Sequence, residues 1–302
     1  MKTVSVILTT YNSGSHIMEV IRSIQNQVGV NKEFNIELIV VDDCSIDNTQ
    51  EILNSNNILF LCNNKNSGGP NKGRNMALNI CRGDFICIAD HDDVWFPNKI
   101  SELLKVSNFA PIVSSGYTLH DITTNTKIER INSSNSEFIK YDKNKTFISK
   151  LTKNKIGQQT YLGSLMFSSS LKHFLFEEKY GMIDFDWVLN LFKDNTSIEV
   201  CKSLYDRRVE KKNLSLKQNY RINDYNHSLL TVSKYSDLFP SEVIISKKRI
   251  NGSIARYYYL IGNMKNARKY FLKSKINLVC VLYLITTFVG HKFVRKHFNI
   301  FG

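Results

Sequence analysis

Acidic side chains in the first hundred residues have the types and spacing to bind a divalent cation and a phosphate-bearing ligand. Asp90-His91-Asp92-Asp93 places three carboxylates within four residues, directly after an apolar stretch. Clustered carboxylates repel one another, and Mg²⁺ relieves this by taking one or two protein carboxylates together with phosphate oxygens. The alternative for this cluster is a solvated loop that caps the next helix.

Two further polar groups accompany this cluster. Asp42-Asp43 ends another apolar stretch and could accept hydrogen bonds from a nucleoside, or cap the helix that follows. The segment 68–75 offers glycines, backbone amides and two cations, including Arg74, before a predicted helix, which suits a phosphate. It lacks the Walker spacing, which disfavours a P-loop ATPase; a plain turn with a solvated arginine is the alternative.

A third region supplies candidate proton acceptors. Asp184 and Asp186 lie two residues apart among aromatic and apolar side chains at a predicted helix start. Partial burial would raise the pKa of such a carboxyl group and suit it to accept a proton from an attacking hydroxyl. Capping by Asp184 is the alternative. Downstream, the paired Arg207-Arg208 could hold a diphosphate bidentately.

The elements that must position these groups alternate between strands and helices. Apolar runs predict strands at 4–9, 37–41, 58–62 and 84–89, and helical spacing predicts helices at 16–27, 49–54 and 73–81. Continuous apolar strands separated by helices are typical of an α/β fold with a mostly parallel sheet flanked by helices, whose ligands bind at the carboxyl ends of the strands. The polar segment 123–145 is expected to form a surface loop, and 253–275 a helical hairpin.

The combination of motifs resembles the family-two inverting glycosyltransferases, which have the A-type nucleotide-sugar fold. The resemblance rests on four stretches in this order: Val6-Ile7-Leu8-Thr9-Thr10-Tyr11-Asn12, Val40-Val41-Asp42-Asp43-Cys44-Ser45, Gly73-Arg74-Asn75 and Asp90-His91-Asp92-Asp93-x-Trp95. It covers about residues 1–220. It implies a nucleotide-sugar-binding half at 1–105, an acceptor-binding half of the same catalytic domain at 106–220, and a basic helical C-terminal extension at 221–302.

The resemblance also implies an activity and the residues that carry it. The activity is transfer of a sugar from a nucleotide donor, most often a UDP-sugar, to a hydroxyl of a glycan or lipid-linked acceptor, with inversion and with help from Mn²⁺ or Mg²⁺. The implied donor-site residues are Thr9, Tyr11 and Asp43 at the base, with Asp42 or its neighbour reaching the same nucleoside. Arg74 is implied near base or phosphate, Asp90 near the ribose, Asp92 at the metal, and Arg208 and Ser215 near the active site. Asp184 is the implied general base, with Asp186 as its alternative. Two departures are Cys44, where glycine is usual, and Ile183, where an acidic residue is expected.

Two other functions remain open at this point. A sugar-phosphate nucleotidyltransferase could use a similar sheet, although the glycine-rich loop with a signature arginine and lysine that such an enzyme carries is missing from the N-terminus. A catalytically inactive subunit that binds sugar nucleotides is the non-enzymatic alternative.

The charge of the chain is concentrated in one region. The 302 residues include 40 Lys+Arg and 27 Asp+Glu, a net charge of +13, yet residues 243–302 contain 12 cations and no acidic residue. The composition excludes a disordered or collagen-like chain, and no nucleic-acid-binding motif accompanies the charge. The apolar run 276–289 is short for a membrane span and, with its flanking cations, predicts contact with an anionic membrane surface through 243–302. A buried helix that packs on the domain is the alternative for this run. Scattered cysteines and the lack of a signal peptide favour a cytoplasmic protein, peripheral on the inner face of the membrane.

Overall fold

The chain divides into two units, each with its own set of elements. The computed structural model describes residues 1–132, 136–158, 161–180, 182–209 and 218–288. The first unit comprises Met1–Lys150 and Lys155–Lys211, and the second comprises Leu151–Asn154 and Lys212–Gly302.

The described residues form ten strands and ten α-helices. The strands are β1 (Lys2–Thr10), β2 (Phe34–Asp42), β3 (Phe60–Cys62), β4 (Phe85–Asp90), β5 (Val94–Trp95), β6 (Ile112–Asp121), β7 (Thr126–Arg130), β8 (Phe138–Tyr141), β9 (Met166–Ser168) and β10 (Ser197–Val209). The helices are α1 (Ile17–Gln25), α2 (Thr49–Ser55), α3 (Asn71–Ile80), α4 (Lys99–Val106), α5 (Lys145–Thr152), α6 (Phe185–Phe192), α7 (Gln218–Ser233), α8 (Pro240–Leu260), α9 (Met264–Phe271) and α10 (Leu278–Thr286).

One sheet organises the first unit. Its strand order is β3-β2-β1-β4-β9-β6-β10-β5, with β7 paired to β6 and β8 paired to β10. The pairs β3–β2, β2–β1 and β1–β4 are parallel, as is β6–β10, whereas β9 runs antiparallel between β4 and β6. The predicted α/β class is therefore confirmed, with a parallel first half and a mixed second half.

The apolar pattern of the sequence explains the first half of this sheet. In β1, Val4 to Thr10 are all buried, because helices cover both faces of a central parallel strand. The next helix, α1, buries Ile17, Val20, Ile21 and Ile24, which recur at helical spacing and form one apolar stripe.

The prediction of a surface loop at 123–145 is wrong for much of its length. It contains β7 and β8, and β7 forms a hairpin with β6 through a turn in which Asp121 accepts hydrogen bonds from the N–H groups of Thr123 and Thr124. All five residues of β7 are exposed. Backbone hydrogen bonds hold such an edge strand, so its side chains need not alternate between apolar and polar.

The second unit is helical, and its predicted hairpin is confirmed. Helices α8 and α9 meet at Gly262, whose φ of +83° suits a residue without a side chain, and Asn263 caps α9 through the N–H of Asn266. A small core contains Ala255, Tyr259, Ala267, Phe271 and Tyr283. None of the helices among the described residues is both long and apolar enough to cross a membrane.

Candidate functional site

The carboxyl ends of β1, β2 and β4 bring the predicted donor-site residues to one edge of the sheet. Thr9 of β1 lies opposite Val41 of β2 on one side and Asp90 of β4 on the other. Thr9 is buried, and Tyr11, two residues beyond it, is exposed. The motifs after the three strands therefore converge, as the positions of the apolar runs predicted.

The paired aspartates after β2 organise the loops at this edge. The buried Asp42 carboxylate accepts hydrogen bonds from the N–H and hydroxyl of Ser45 (2.9 and 2.5 Å) and from Gln50 (2.6 Å). The buried Asp43 carboxylate accepts hydrogen bonds from the N–H of Ser67 (3.0 and 3.1 Å) and the side chain of Asn63. Neither aspartate caps α2, whose N-cap residue is Asn48. Both carboxylates are instead fixed at the strand ends.

The residue after this pair has an unusual backbone conformation. Cys44 has a φ of +62°, in the left-handed region that favours glycine. The departure from the usual glycine at this position therefore places a side chain where the backbone conformation suits glycine.

Arg74 joins the helix α3 to the end of β4. Its side chain is 5% exposed, and it donates a hydrogen bond of 2.8 Å to the Asp90 carboxylate, which is 38% exposed. A second guanidinium nitrogen donates to the Asn71 side chain at 3.2 Å. Close approach of α3 requires Gly73, since a Cβ there would lie 3.1 Å from Thr9 and 3.2 Å from Val41. The segment 68–75 thus presents a buried cation bound to an acidic partner, rather than a solvated turn.

Two asparagines of α3, to which the sequence assigned no role, hold the segment that precedes α6. The Asn71 amide donates hydrogen bonds of 2.8 Å to the carbonyls of Glu177 and Ile183, and Asn75 exchanges hydrogen bonds with the backbone of Phe176. Both asparagines are buried. Polar residues four apart that both lie inward on a helix are the only sequence signal of this role.

This arrangement places the candidate bases near Arg74. Asp184 occupies the N-cap position of α6, but its side chain makes no capping hydrogen bond, so the capping alternative is not what the structure presents. Asp184 is partly buried, and Asp186, in the first turn of α6, is 8% exposed. The contacts run from Asp90 through Arg74 and Asn71 to Ile183, the residue directly before Asp184.

The residues Asp90–Asp93, here called the acidic loop, carry perturbed carboxyl groups. Burial, and next the charge of Asp90, raise the pKa of Asp92. Burial, Asp90 and Asp92 raise the pKa of Asp93 well above its usual range, with Arg207 and Lys99 opposing them. The loop therefore holds like charges close together in a partly dry environment.

A divalent cation fits this loop through Asp92. No group of three or more His, Cys, Asp or Glu side chains among the described residues is arranged to hold a metal ion. Mg²⁺ and similar ions in phosphate sites use one or two carboxylates and take their other ligands from phosphate and water. The partly buried Asp92, repelled by Asp90, is such a hard-oxygen donor, and a cation would offset that repulsion.

The predicted arginine pair does not act as a pair. Arg207 and Arg208 are consecutive residues of β10, so their side chains leave opposite faces of the sheet. Arg207 lies over the Tyr161 ring, 4.3 Å from its centroid, whereas Arg208 makes a bidentate ion pair of 2.6 and 2.7 Å with Glu19 of α1. The Arg208 N–H also donates to Asp93. Ser215 lies outside the described residues.

The fold and the edge together define a class of protein. A parallel sheet with buried acidic residues after β2, a buried arginine on α3, an acidic loop after β4 and aspartates at a later helix start belongs to the class of α/β proteins that bind ligands such as nucleotides at the carboxyl ends of their strands. The chain belongs to glycosyl transferase family 2, whose family model matches residues 5–175.

Similar proteins agree with this class. The chain is 43% identical over 93 residues to the poly(ribitol-phosphate) beta-N-acetylglucosaminyltransferase TarS of Staphylococcus aureus, a match that covers 30% of this chain and 16% of TarS. It is 26% identical over 323 aligned residues to the GalNAc(5)-diNAcBac-PP-undecaprenol beta-1,3-glucosyltransferase of Campylobacter jejuni, covering 98% and 96% of the two chains. The crystal structure of S. aureus TarS 1-349 in complex with UDP has the same fold, with a TM-score of 0.62 at 17% identity over 100% of this chain and 93% of that one.

Proposed function

We propose that this protein is an inverting glycosyltransferase that moves a sugar from a UDP-sugar donor to a hydroxyl of a glycan or lipid-linked acceptor during cell-surface polysaccharide synthesis. The family membership supports sugar transfer as the reaction class. The similarity to TarS, which has been crystallised with UDP, and to an undecaprenol-linked glucosyltransferase supports the donor and acceptor classes.

The observation that carries this proposal is the connection from Asp90 through Arg74 and Asn71 to the residue before Asp184. It joins the donor edge of the sheet to the carboxylates at the start of α6. A displacement reaction needs both at once, because the leaving diphosphate and the acceptor hydroxyl with its base must lie on opposite sides of the anomeric carbon. A protein that only bound nucleotides would have no use for the carboxylates at the start of α6.

The base step falls to the aspartates of α6. Asp184, or Asp186 beside it, accepts the proton of the acceptor hydroxyl as that oxygen bonds to the anomeric carbon and the bond from this carbon to the diphosphate breaks. Direct displacement inverts the anomeric carbon and needs no enzyme nucleophile.

The donor step falls to the residues at the strand ends. Thr9, Tyr11, Asp42 and Asp43 bind the base and its nucleoside, Arg74 and Asp90 bind near the base, ribose and phosphate, and Asp92 holds Mn²⁺ or Mg²⁺. A bound divalent cation supplies Lewis-acid stabilisation of the diphosphate leaving group. Arg208 adds a fixed positive charge near Asp92, and Ser215 is assigned to the same end of the donor.

Release of UDP from a panel of UDP-sugars, with and without Mn²⁺, tests the reaction. Asp92→Ala should abolish metal-stimulated UDP binding, whereas Asp184→Asn should leave UDP binding intact and remove transfer. Asp186→Asn separates the two candidate bases, because only the base loses turnover by two orders of magnitude or more, roughly the contribution of general base catalysis. Asp84→Ala, at the opposite end of β4, and the exposed Asp194→Asn are matched controls that should behave like wild type.

Several outcomes would overturn the assignment. Turnover like wild type in both Asp92→Ala and Asp184→Asn would refute the site, and retention at the anomeric carbon, read by NMR of the product, would refute direct displacement. A wild-type chain that binds UDP and transfers to none of the acceptors would support the inactive binding subunit instead.

We further propose that the protein works at the cytoplasmic face of an anionic membrane, which the second unit contacts. Supporting this, α10 and its flanks expose seven large apolar side chains: Leu272, Ile276, Leu278, Val279, Val281, Ile285 and Phe288. The exposed Lys273 and Lys275 lie in the same stretch. Apolar side chains beside cations suit the boundary between anionic headgroups and acyl chains, where each cation adds about 1 kcal/mol of attraction.

Sedimentation with phosphatidylglycerol-containing vesicles tests this contact. Lys273→Glu/Lys275→Glu should move the full-length protein from the pellet to the supernatant, and high salt should have a similar effect because it screens the attraction. Lys32→Glu/Lys105→Glu makes the same charge change at exposed positions of the first unit and should pellet like wild type. Equal sedimentation of both double variants would contradict the assigned surface.

A further inference from the structure

A fully buried lysine lies beneath the acidic loop. Lys99, the first residue of α4, has 0% of its surface exposed. Its ammonium is 3.8 Å from the centroid of the Trp95 ring and 4.5 Å from that of Tyr205, and it donates a hydrogen bond to the carbonyl of Gly163. Lysine is almost never fully buried unless it is paired, because removing an ammonium from water is costly. A buried lysine at this place therefore needs an explanation.

The groups around Lys99 come from the elements that border the acidic loop. Trp95 belongs to β5, directly after the loop, and it pairs with Tyr205 of β10. Gly163 lies between Lys99 and the loop: its carbonyl accepts the lysine hydrogen bond, and a Cβ on it would be 3.1 Å from Asp93 Oδ2 and 3.3 Å from the Tyr205 ring. Lys99, Gly163 and Asp93 thus form one packed cluster.

Charge complements this geometry. Asp93 is 4% exposed, and the positive charges that lower its otherwise raised pKa are Arg207 and Lys99. Burial lowers the pKa of Lys99 to about 8, although Asp93 and Asp90 are among the groups that raise it. The ammonium keeps its proton at neutral pH, so a buried positive charge lies close enough to Asp93 and Asp90 to interact with both carboxylates.

We propose that Lys99 is a positioning residue of the donor site: its buried ammonium holds the Gly163 turn against Asp93, and so fixes the direction in which Asp92 and Asp90 face the diphosphate end of the donor. This inference rests on the proposed function. Lys99 itself touches no substrate. It acts through Gly163 and Asp93, whose carboxylate also accepts a hydrogen bond from the backbone N–H of Arg208.

Titration calorimetry with UDP, with and without Mn²⁺, tests the inference. In Lys99→Met, the gain in UDP affinity on adding Mn²⁺ should be at least tenfold smaller than in the wild type. UDP binding without metal should stay within about twofold, because the loops held by Asp42 and Asp43 are untouched. Lys99→Arg should recover the gain, since it restores a charged donor. Lys105→Met, the same change at an exposed position of α4, should match wild type. A purely structural role would lower both affinities together.

The double variant Lys99→Met/Asp93→Asn guards against misfolding of the single variant, because it removes both buried charges at once. If Lys99 acts through Asp93, the double variant should lose no more of the Mn²⁺-dependent gain than Asp93→Asn alone, and additive losses would overturn that route. A full Mn²⁺ gain in Lys99→Met would overturn the inference while leaving the proposed function standing. A wild type that binds no UDP would overturn the proposed function, and this inference with it.

Discussion

The pKa of Lys99 makes a sharp prediction about how stability depends on pH. Burial lowers this pKa from 10.5 to about 8. Between these two values the unfolded chain holds a proton at this position that the folded chain has released, so the free energy of unfolding should rise as the pH rises. Below pH 8 both states are protonated, and the full cost of the buried ammonium is present.

The size of the effect follows from the shift. At about 1.36 kcal/mol per pKa unit, the difference between the unfolded and folded pKa values changes the free energy of unfolding by about 3 kcal/mol in total. About 2 to 3 kcal/mol of this change should be visible by pH 10. The charges facing Lys99 are those of Asp93 and Asp90. The neighbouring thiol of Cys87, whose pKa burial raises to about 12, stays neutral throughout this range.

The assay compares wild type with Lys99→Met by urea unfolding at several pH values. Both tryptophans, Trp95 and Trp187, lie in the first unit, so their fluorescence reports the unfolding of that unit. The stability of wild type relative to Lys99→Met should rise from pH 7 to pH 10. The change in side-chain packing that the substitution causes shifts the stability equally at every pH. The change of the stability difference with pH therefore reports the pKa of Lys99.

A control and a contrary result complete this test. Lys105→Met removes an exposed lysine from the same helix, and its difference from wild type should stay flat over the same range. A flat difference for Lys99→Met as well would refute the reasoning, because it would mean that the ammonium is hydrated, or held by the two rings strongly enough to keep an ordinary pKa.

Three other substitutions test separate parts of the site. Cys44→Gly should raise the free energy of unfolding by about 0.5 to 1 kcal/mol in urea titrations, because relief of the left-handed φ outweighs the extra freedom of the unfolded chain, while Cys44→Ala should give no such gain. Asn71→Ala leaves two carbonyls without their donor and should lower kcat on the order of tenfold with the UDP Kd within twofold; a changed Kd with normal kcat would contradict the role given to α3. Glu19→Gln should weaken the hold on Arg208 by about 0.5 to 1 kcal/mol and raise the donor KM a few-fold, and this effect should vanish in an Arg208→Ala background; an equal effect in both backgrounds would separate Glu19 from Arg208.

The elements and the edge were predictable where the side chains themselves decide the structure. The apolar runs before Asp42 and Asp90 are buried strands, and parallel strands necessarily end at one edge, so the convergence of these motifs follows from the sequence. The possibility that Arg207 and Arg208 hold one diphosphate together does not fit β10, because consecutive residues of a strand face opposite sides of the sheet.

What could not be predicted depends on contacts between distant residues. The Asn71 side chain meets the backbone of Glu177 and Ile183 more than a hundred residues later, which no local pattern encodes. Lys99 looks like any surface lysine until Trp95 and Tyr205 close over it. The exposed β7 carries no apolar alternation because it pairs with β6 through its backbone and buries none of its side chains.

The short strand β9 has a consequence for the order in which the chain can fold. In the sheet, β9 is hydrogen-bonded to β4 on one side and β6 on the other, although it follows β4 by some 75 residues. While the chain is being synthesised, β4 and β6 therefore keep open edges until Met166–Ser168 emerges from the ribosome. Open edges invite pairing with other chains. Translation that pauses before residue 166 should accordingly leave an aggregation-prone nascent chain, whereas three more residues of β-strand would pair the facing edges of β4 and β6.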